Sequence, residues 1–414
     1  MIKVCDAIMG TGKSSAAINY MNENKDKRFI YITPYLDEAQ RIRDGCPELR
    51  FVEPSNKLER FHFKKCEHTA YLIKRGQNIT TTHQAFKQYT AEMLRDITAN
   101  GYTLLIDENI DILEKYDIDS GDMQILLDAG LLEVHDGIFH KTGKTYSGAV
   151  FDKFFRFMEI RDLIQLDGSD KTQLYYWALP PELLTSFKDV IVMTYLFKGQ
   201  GLRYMFEMYD IQYEYIGIKK TGERDYRFGA YPGYTPEYVS SIKDMIHIID
   251  SEKLNAIGDN EHDLSMNWFN KDSSDLDKLK NNIYNCMHNI WKDVPADKKL
   301  WGSYVSRYDV IKGKGYTKSF LTFNARATNA YKDRRCLVYI ANIFMNVSEQ
   351  SFYKKHGIEV DGDMYALSIM VQWIWRSAIR EGQEINIYIP SKRMRTLLID
   401  WMEKVSKEGN SFGK

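Results

Sequence analysis

A glycine-rich segment close to the N-terminus constrains this chain more than any other feature. It reads Ala7-Ile8-Met9-Gly10-Thr11-Gly12-Lys13-Ser14 and lies between an aliphatic segment, 2–5, and a helix predicted for 14–23. In this setting the glycines let backbone N–H groups face an anion, and the N-terminus of the helix adds its positive dipole end. The lysine can reach the β- and γ-phosphates, and the serine hydroxyl can hold Mg²⁺. The predicted nucleotide contacts are Gly10, Thr11, Gly12, Lys13, Ser14 and Ser15.

Two adjacent carboxylates follow a second aliphatic segment. Asp107 and Glu108 come directly after the sequence Thr-Leu-Leu-Ile at 103–106. The aliphatic run predicts a buried strand, and open parallel sheets bind ligands at the carboxyl ends of their strands. We therefore expect Asp107 to hold Mg²⁺ together with Ser14, and Glu108 to orient or deprotonate an attacking water. Taken with Lys13, the pair predicts a nucleoside triphosphatase.

Composition limits the possible partners and compartments. The chain has 414 residues, enough for two domains of ordinary size, and a formal net charge of −1. A nucleic-acid partner would therefore have to bind local patches, because there is no global basic field. The five cysteines are scattered and include no C-x-x-C pair, which predicts reduced thiols. We find no signal peptide and no apolar stretch that could span a bilayer, so we expect a cytoplasmic protein that does not bind a membrane.

Strand and helix patterns alternate along the chain. Strands are predicted at 29–33, 79–82, 103–107 and 189–194, and a second series at 245–249, 319–323, 336–340 and 385–389. Repeated strand-helix units indicate parallel sheets that are covered on both faces. Residues 115–188 are predicted to form a mainly helical insertion in the first domain. The predicted fold class is thus α/β, with one domain at 1–195 and another at 196–414.

The order of the motifs resembles that of superfamily 2 helicases of the DEAD-like group. After the phosphate-binding loop come Thr33-Pro34 as motif Ia, Thr80-Thr81-Thr82-His83 as a motif Ib-like element, Asp107-Glu108 as motif II, Thr194-Tyr195-Leu196 as motif III and residues 372–380 as motif VI. More narrowly, the segments 323–329, 375–380 and 388–395 resemble phage-encoded DNA helicases. The resemblance covers nearly the whole chain. It implies two RecA-like domains with parallel sheets, the second of which carries motif VI.

The resemblance also implies an activity and its residues. It implies ATP-dependent unwinding of, or translocation on, single-stranded or forked nucleic acid, with Mg²⁺ as the second cofactor. DNA is favoured because the similar proteins act in phage replication or recombination, where partner proteins are also expected. The implied catalytic residues are Lys13, Glu108, Gln372, Arg376 and Arg380, and the implied strand contacts in the first domain are Thr33, Pro34, Thr81, Thr82 and His83.

A basic segment adds predicted strand contacts in the second domain. Residues 307–335 contain eight Lys or Arg against two Asp, interleaved with Tyr and Phe. Such a mixture suits phosphate contact combined with base stacking on a single strand. The contacts predicted from this segment are Lys312, Lys314 and Arg326.

Motif VI departs from the usual family pattern. Gln372, Arg376 and Arg380 recur at a strict four-residue interval, which predicts that they share one stripe of a helix. Such a stripe can present two guanidinium groups to a γ-phosphate, and it leaves open which of them acts as the arginine finger.

Two other functions remain open at this stage. One is a nucleic-acid-stimulated ATPase that remodels a strand or loads a partner without unwinding. The other is a small-molecule P-loop kinase, which a second α/β domain with an arginine-rich segment disfavours. The sequence does not predict the oligomeric state.

Overall fold

The computed structural model describes residues 1–34, 36–62, 64–167, 173–270, 273–323 and 330–412. Contacts between residues divide the chain into two units. The first unit consists of Met1–Asp6, Lys13–Tyr231 and Asn346–Val360. The second consists of Ala7–Gly12, Pro232–Met345 and Asp361–Lys414.

Strands β1 to β12 lie in the first unit and β13 to β16 in the second. They are β1 (Ile2–Asp6), β2 (Phe29–Thr33), β3 (Ile79–Thr82), β4 (Thr103–Asp107), β5 (Leu113–Tyr116), β6 (Leu132–His135), β7 (Ile138–Lys141), β8 (Leu163–Asp167), β9 (Gln173–Ala178), β10 (Asp189–Thr194), β11 (Tyr213–Lys220), β12 (Tyr226–Ala230), β13 (Ile246–Ile248), β14 (Lys299–Gly302), β15 (Cys336–Tyr339) and β16 (Ile385–Tyr388).

The helices alternate with these strands. They are α1 (Lys13–Glu23), α2 (Leu36–Gly45), α3 (Lys65–Lys74), α4 (His83–Phe86), α5 (Ala91–Asn100), α6 (Ser120–Asp128), α7 (Asp152–Phe157), α8 (Glu182–Thr185), α9 (Gly201–Met208), α10 (Ile242–Met245), α11 (Glu252–Asn255), α12 (Ser273–Asn285), α13 (Tyr308–Ile311), α14 (Val347–Lys355), α15 (Gly362–Ile374) and α16 (Lys392–Glu408). Among the described residues, none of these helices is both long and apolar enough to cross a membrane.

The first unit contains a seven-stranded sheet in the order β12-β11-β1-β10-β4-β2-β3. All neighbouring strands are parallel except β11 and β12. Every residue of β2 is buried, as expected for a strand covered on both faces. The register aligns Asp6 with Thr194 and Met193 with Asp107, so the ends of β1, β10 and β4 meet at one edge. The strands predicted for this sheet are confirmed.

This sheet extends beyond the predicted domain boundary at residue 195. Strand β11 pairs with β1, and β12 pairs with β11, so the first unit continues to Tyr231. Helix α14, from much later in the sequence, also belongs to this unit, where the ring of Tyr353 lies 5.0 Å from that of Tyr204. Sequence periodicity cannot show which sheet a late strand or helix joins.

The insertion at 115–188 is not mainly helical, so that prediction was wrong. It contains a five-stranded antiparallel sheet in the order β5-β9-β8-β7-β6, with α6 and α7 beside it. The buried core of this sheet consists of Met123, Leu126, Leu132, Phe139, Phe154, Leu163, Tyr175 and Trp177. Aromatic side chains fit a pleated sheet, and Asp136-Gly137 between β6 and β7 has the positive φ angles, 52° and 81°, of a tight hairpin. The Asp-Gly pair was the signal that the helical interpretation missed.

The second unit contains a smaller parallel sheet in the order β13-β16-β15-β14. Its core includes Trp301 at the centre of β14, with Tyr316 and Val338 in the same cluster. The strand predicted at 319–323 is absent: a short turn, Thr317–Ser319, is followed by a single bridge between Phe320 and Trp301. The two sheets, parallel apart from β12, confirm the α/β class.

The hairpin between β6 and β7 can be tested by substitution. Gly137→Ala should lower the free energy of unfolding by about 1–2 kcal/mol, because a Cβ disfavours the left-handed backbone. Denaturant unfolding followed by circular dichroism measures the change. Gly143→Ala is the matched control, because a Cβ there meets no atom within 4 Å. Equal losses in the two variants would contradict the hairpin interpretation.

Candidate nucleotide-binding site

The glycine-rich loop adopts a conformation that requires its glycines. Gly10 and Gly12 have φ angles of 85° and 87°, which residues with a Cβ rarely adopt. Between them, the buried Thr11 donates its hydroxyl hydrogen to the carbonyl oxygen of Ile8 at 2.9 Å. Helix α1 begins at Lys13, directly after the second glycine. The local structure is therefore the strand, loop and helix N-terminus that bind phosphate in P-loop proteins.

Lys13 lies among acidic groups of the first unit. Burial lowers the pKa of its ammonium group, whereas Cys5, Asp107, Asp6 and Glu108 act in the opposite direction. A lysine removed from water is unfavourable unless negative charge lies close to it. Lys13, Asp107 and Glu108 are thus close enough to interact electrostatically, whereas their roles in catalysis stay predictions.

Asp107 has the properties of a cation ligand. Loss of water, followed by repulsion from Glu108 and Glu38, raises the pKa of Asp107 to about 8, against the opposing charges of Lys13 and Arg41. A divalent cation would relieve both the desolvation and the repulsion of these carboxylates. The residues therefore fit Mg²⁺, for which the loop supplies Ser14 as the second predicted ligand.

Glu108 is held in a strained backbone conformation. Its φ angle is 65°, and its N–H donates to the carbonyl oxygen of Met193 at 3.0 Å. A left-handed conformation costs a residue with a Cβ about 1–2 kcal/mol, and such strain concentrates at functional sites. Next to it, the imidazole Nε2 of His83 contacts the carbonyl oxygen of Asp107 at 2.8 Å. Contacts on both sides therefore fix the backbone that carries the two carboxylates.

Asp6 is a site residue that the sequence interpretation missed. Its carboxylate accepts hydrogen bonds from the N–H groups of Leu196 at 2.8 Å and Phe197 at 3.1 Å. Burial raises the pKa of Asp6 to about 6, while these N–H donors and Lys13 oppose the rise. Asp6 thereby ties the strand before the loop to the segment interpreted as motif III. The only sequence signal was a carboxylate directly before the loop.

The residues of the first unit that were predicted to contact a nucleic-acid strand lie together at one edge of the sheet. Most of their side chains, however, face the interior of the unit. The register pairs Thr33 with Thr82, and the hydroxyls of Thr33 and Thr81 are buried without a hydrogen-bond partner. The hydroxyl of Thr82 accepts the N–H of Ala85 and caps α4. His83 is 4% exposed and contacts the backbone of Asp107, so its side chain faces the interior of the unit. Pro34 is partly exposed.

The basic segment of the second unit differs from the prediction in its aromatic residues. Tyr316 is 2% exposed, and Tyr308 and Phe320 stack around Trp301, so these rings form core instead of base-stacking surfaces. Lys312 pairs with Asp309 at 2.6 Å, and Lys314 is exposed. Arg326 lies outside the described residues.

Motif VI does not form one helical stripe, so that prediction was wrong. Helix α15 ends at Ile374, and the Ser377 hydroxyl donates to the carbonyl oxygen of Ile374 at 2.6 Å. This bond satisfies a carbonyl that the next helical turn would otherwise have used. Gln372 is half-buried on the helix, Arg376 is buried after it, and Arg380 is exposed in the turn Ala378–Glu381. The equal spacing was therefore misleading.

Comparisons with known proteins identify the family of this chain. Residues 240–402 match the family described as the YonV C-terminal Rossmann-like domain. The chain is 36% identical to the SPbeta prophage-derived uncharacterized protein YonV of Bacillus subtilis (strain 168), over 97% of this chain and 98% of that protein. Similar solved structures include S. tokodaii Xpd4, with 13% identity, coverage of 97% and 94%, and a TM-score of 0.46. An apo XPD structure has 11% identity, coverage of 98% and 95%, and the same TM-score of 0.46. By its similarity to YonV over almost its full length, the chain belongs to the YonV protein family.

Proposed function

We propose that this protein is an ATP-dependent nucleic-acid helicase or translocase that acts on DNA in phage replication or recombination. The observation that carries the proposal is the cluster formed by Lys13, Asp107 and Glu108 at the end of a parallel sheet. A phosphate-binding loop that leads into a helix supplies backbone donors, and the cluster supplies one cation and two carboxylates. These are the groups that hydrolysis of a nucleoside triphosphate requires.

Each residue has a distinct role in the proposed reaction. The loop and Lys13 bind the phosphates, and Asp107 with Ser14 would hold Mg²⁺, which neutralises phosphate charge when it is bound. Glu108 orients a water or accepts its proton, and its constrained backbone holds the carboxylate in place. Gln372 and one of the two arginines, Arg376 or Arg380, would contact the γ-phosphate.

In this proposal, conformational changes that depend on the bound nucleotide move a nucleic-acid strand. In the proposed cycle, ATP binding brings the motif VI arginines to the γ-phosphate, and hydrolysis releases them. In this proposal the nucleic-acid strand contacts the first unit near the partly exposed Pro34 and the second unit near Lys314 and Arg326. The choice of DNA is supported by the prophage origin of the similar protein from Bacillus subtilis.

Two measurements test the class of function. We expect ATP hydrolysis to rise when single-stranded DNA is added, and to rise less with single-stranded RNA. A strand-displacement assay then separates unwinding from remodelling or loading without unwinding. Phosphate transfer to a small molecule without any response to nucleic acid would instead support a kinase.

The first prediction concerns the chemistry of motif II. Glu108→Gln should slow hydrolysis by a factor on the order of 10²–10⁴ while ATP binding is retained, because only the water-orienting group changes. Lys13→Ala should instead weaken nucleotide binding, since a phosphate contact is lost. Single-turnover hydrolysis and equilibrium nucleotide binding separate these effects. Glu133→Gln, at an exposed strand position, is the control, and hydrolysis at the parent rate by Glu108→Gln would show that motif II is assigned wrongly.

The second prediction concerns the arginine finger. Arg376→Ala or Arg380→Ala should reduce strand-stimulated turnover by a factor on the order of 10³ or more, because a guanidinium neutralises charge spread over several γ-phosphate oxygens. The Lys variants should rescue only in part, since a point charge cannot replace a planar fork. Arg224→Ala, at an exposed position of the first unit, is the control. Parent turnover in both alanine variants would remove motif VI from the mechanism.

The third prediction concerns strand binding by the second unit. Lys314→Ala combined with Arg326→Ala should weaken binding of single-stranded DNA and flatten its salt dependence, because fewer counterions are released. Fluorescence anisotropy at several salt concentrations measures the slope. Replacing the exposed Lys253 and Lys292 by Ala removes the same charge from other parts of the unit. If both double variants keep the parent slope, the strand follows a different path.

A further inference from the structure

We propose that Asn410 and Tyr238 are positioning residues for the phosphate-binding loop, through which the C-terminal segment sets nucleotide affinity. The inference rests on the proposed function, because it assumes that the loop binds a nucleoside triphosphate. Loop residues Ala7–Gly12 belong to the same unit as Asn410 and Tyr238.

Asn410 grips the start of the loop. Its side chain is 2% exposed, and its amide oxygen accepts the N–H of Ile8 at 2.8 Å. The amide nitrogen donates to the carbonyl oxygen of Tyr234 at 2.6 Å, and the backbone N–H donates to the hydroxyl of Thr235 at 3.1 Å. The amide thus uses its acceptor and its donor at once, which neither an alkyl group nor a carboxylate can do.

The backbone conformation directly before Asn410 requires a glycine. Gly409 caps the C-terminus of α16 with a φ angle of 55°, and a Cβ at that position would come within 2.5 Å of the Thr235 hydroxyl. Buried Met402 and Val405 anchor the last turns of the helix. The short segment after α16 is therefore held in a single path that delivers the amide to the loop.

Tyr238 holds the next residues of the loop. Its hydroxyl donates to the carbonyl oxygen of Met9 at 3.0 Å and lies 2.8 Å from the place a Cβ would take on Gly10. Burial raises the pKa of Tyr238, while the positive charge of Arg380 opposes the rise. The hydroxyl therefore limits how far residues 9 and 10 of the loop can move.

These contacts restrict the loop before nucleotide binds. The N–H of Ile8 and the carbonyl of Met9 are held from outside, so the following N–H groups keep the curvature that an anion requires. Without the contacts, part of the binding free energy would be spent on ordering the loop. The expected result is weaker binding of ATP with little change in the chemical step, because no reacting atom is touched.

Asn410→Ala and Tyr238→Phe test the proposal in the full-length chain. We expect the Kd for a fluorescent ATP analogue to rise about tenfold in Asn410→Ala, where a buried N–H loses its acceptor, and about threefold in Tyr238→Phe. The KM for ATP should rise in parallel, while kcat at saturating ATP stays close to that of the parent. Asn386→Ala, at an exposed strand position of the same unit, is the matched control and should change neither quantity.

The outcomes separate this proposal from a general structural role and from the proposed function. If Asn410→Ala also lowers Tm, Tyr238→Phe decides, because it keeps the ring and deletes only the hydroxyl. Parent Kd values in both variants would overturn the positioning role, as would equal losses in kcat and affinity. Failure of the proposed function would appear instead in the unaltered chain, as nucleotide binding without strand-stimulated hydrolysis.

Discussion

The proposed nucleotide site of this chain depends on a lysine that is removed from water. Burial lowers the pKa of the Lys13 ammonium group, while Cys5, Asp107 and Asp6 oppose that shift, and a parallel sheet brings the ends of the strands that carry these groups to one edge. Strand β10 lies between β1 and β4. Asp6 and Asp107 therefore approach the lysine from two strands that are not neighbours in the sheet. The order of the strands thus decides which strand ends are neighbours. These ends carry the loop and the segments interpreted as motif II and motif III.

The sequence predicted the first unit well because its strands are continuous aliphatic runs. The strands at 29–33, 79–82 and 189–194 have the predicted bounds, and the motifs between them mark the carboxyl edge. Asp6 could not be identified in this way, because its partners Leu196 and Phe197 become neighbours only through pairing of β1 with β10. The inserted sheet was missed because its strands are short and its turn signal, Asp136-Gly137, was read as part of a polar helical segment.

The second unit was less predictable because aromatic residues occur both on base-stacking surfaces and in the cores of domains. Tyr316 and Phe320 suggested base stacking and a strand, respectively, whereas both pack on Trp301 of a strand that was not predicted. Spacing was equally ambiguous in motif VI, where Ser377 ends the helical pattern between Arg376 and Arg380. Residues four apart share a face only while the helix continues. A serine hydroxyl that bonds to the last helical carbonyls can end the helix, and the spacing of the arginines does not reveal this.

Two residues near the ends of strands in the first sheet have strained backbone conformations. Glu108 and Leu196 both have positive φ angles, 65° and 58°, and both come directly after or close to the ends of strands in this sheet. Each is held by a hydrogen bond from its N–H, to the carbonyl of Met193 for Glu108 and to the carboxylate of Asp6 for Leu196. Glycine or asparagine adopts such angles at lower cost, and backbone strain is found more often at functional sites than elsewhere. In the proposed mechanism the strain at Glu108 serves to direct its side chain toward a reacting water. The strain at Leu196 accompanies its hydrogen bond to Asp6, which links the segment after β10 to the strand before the loop.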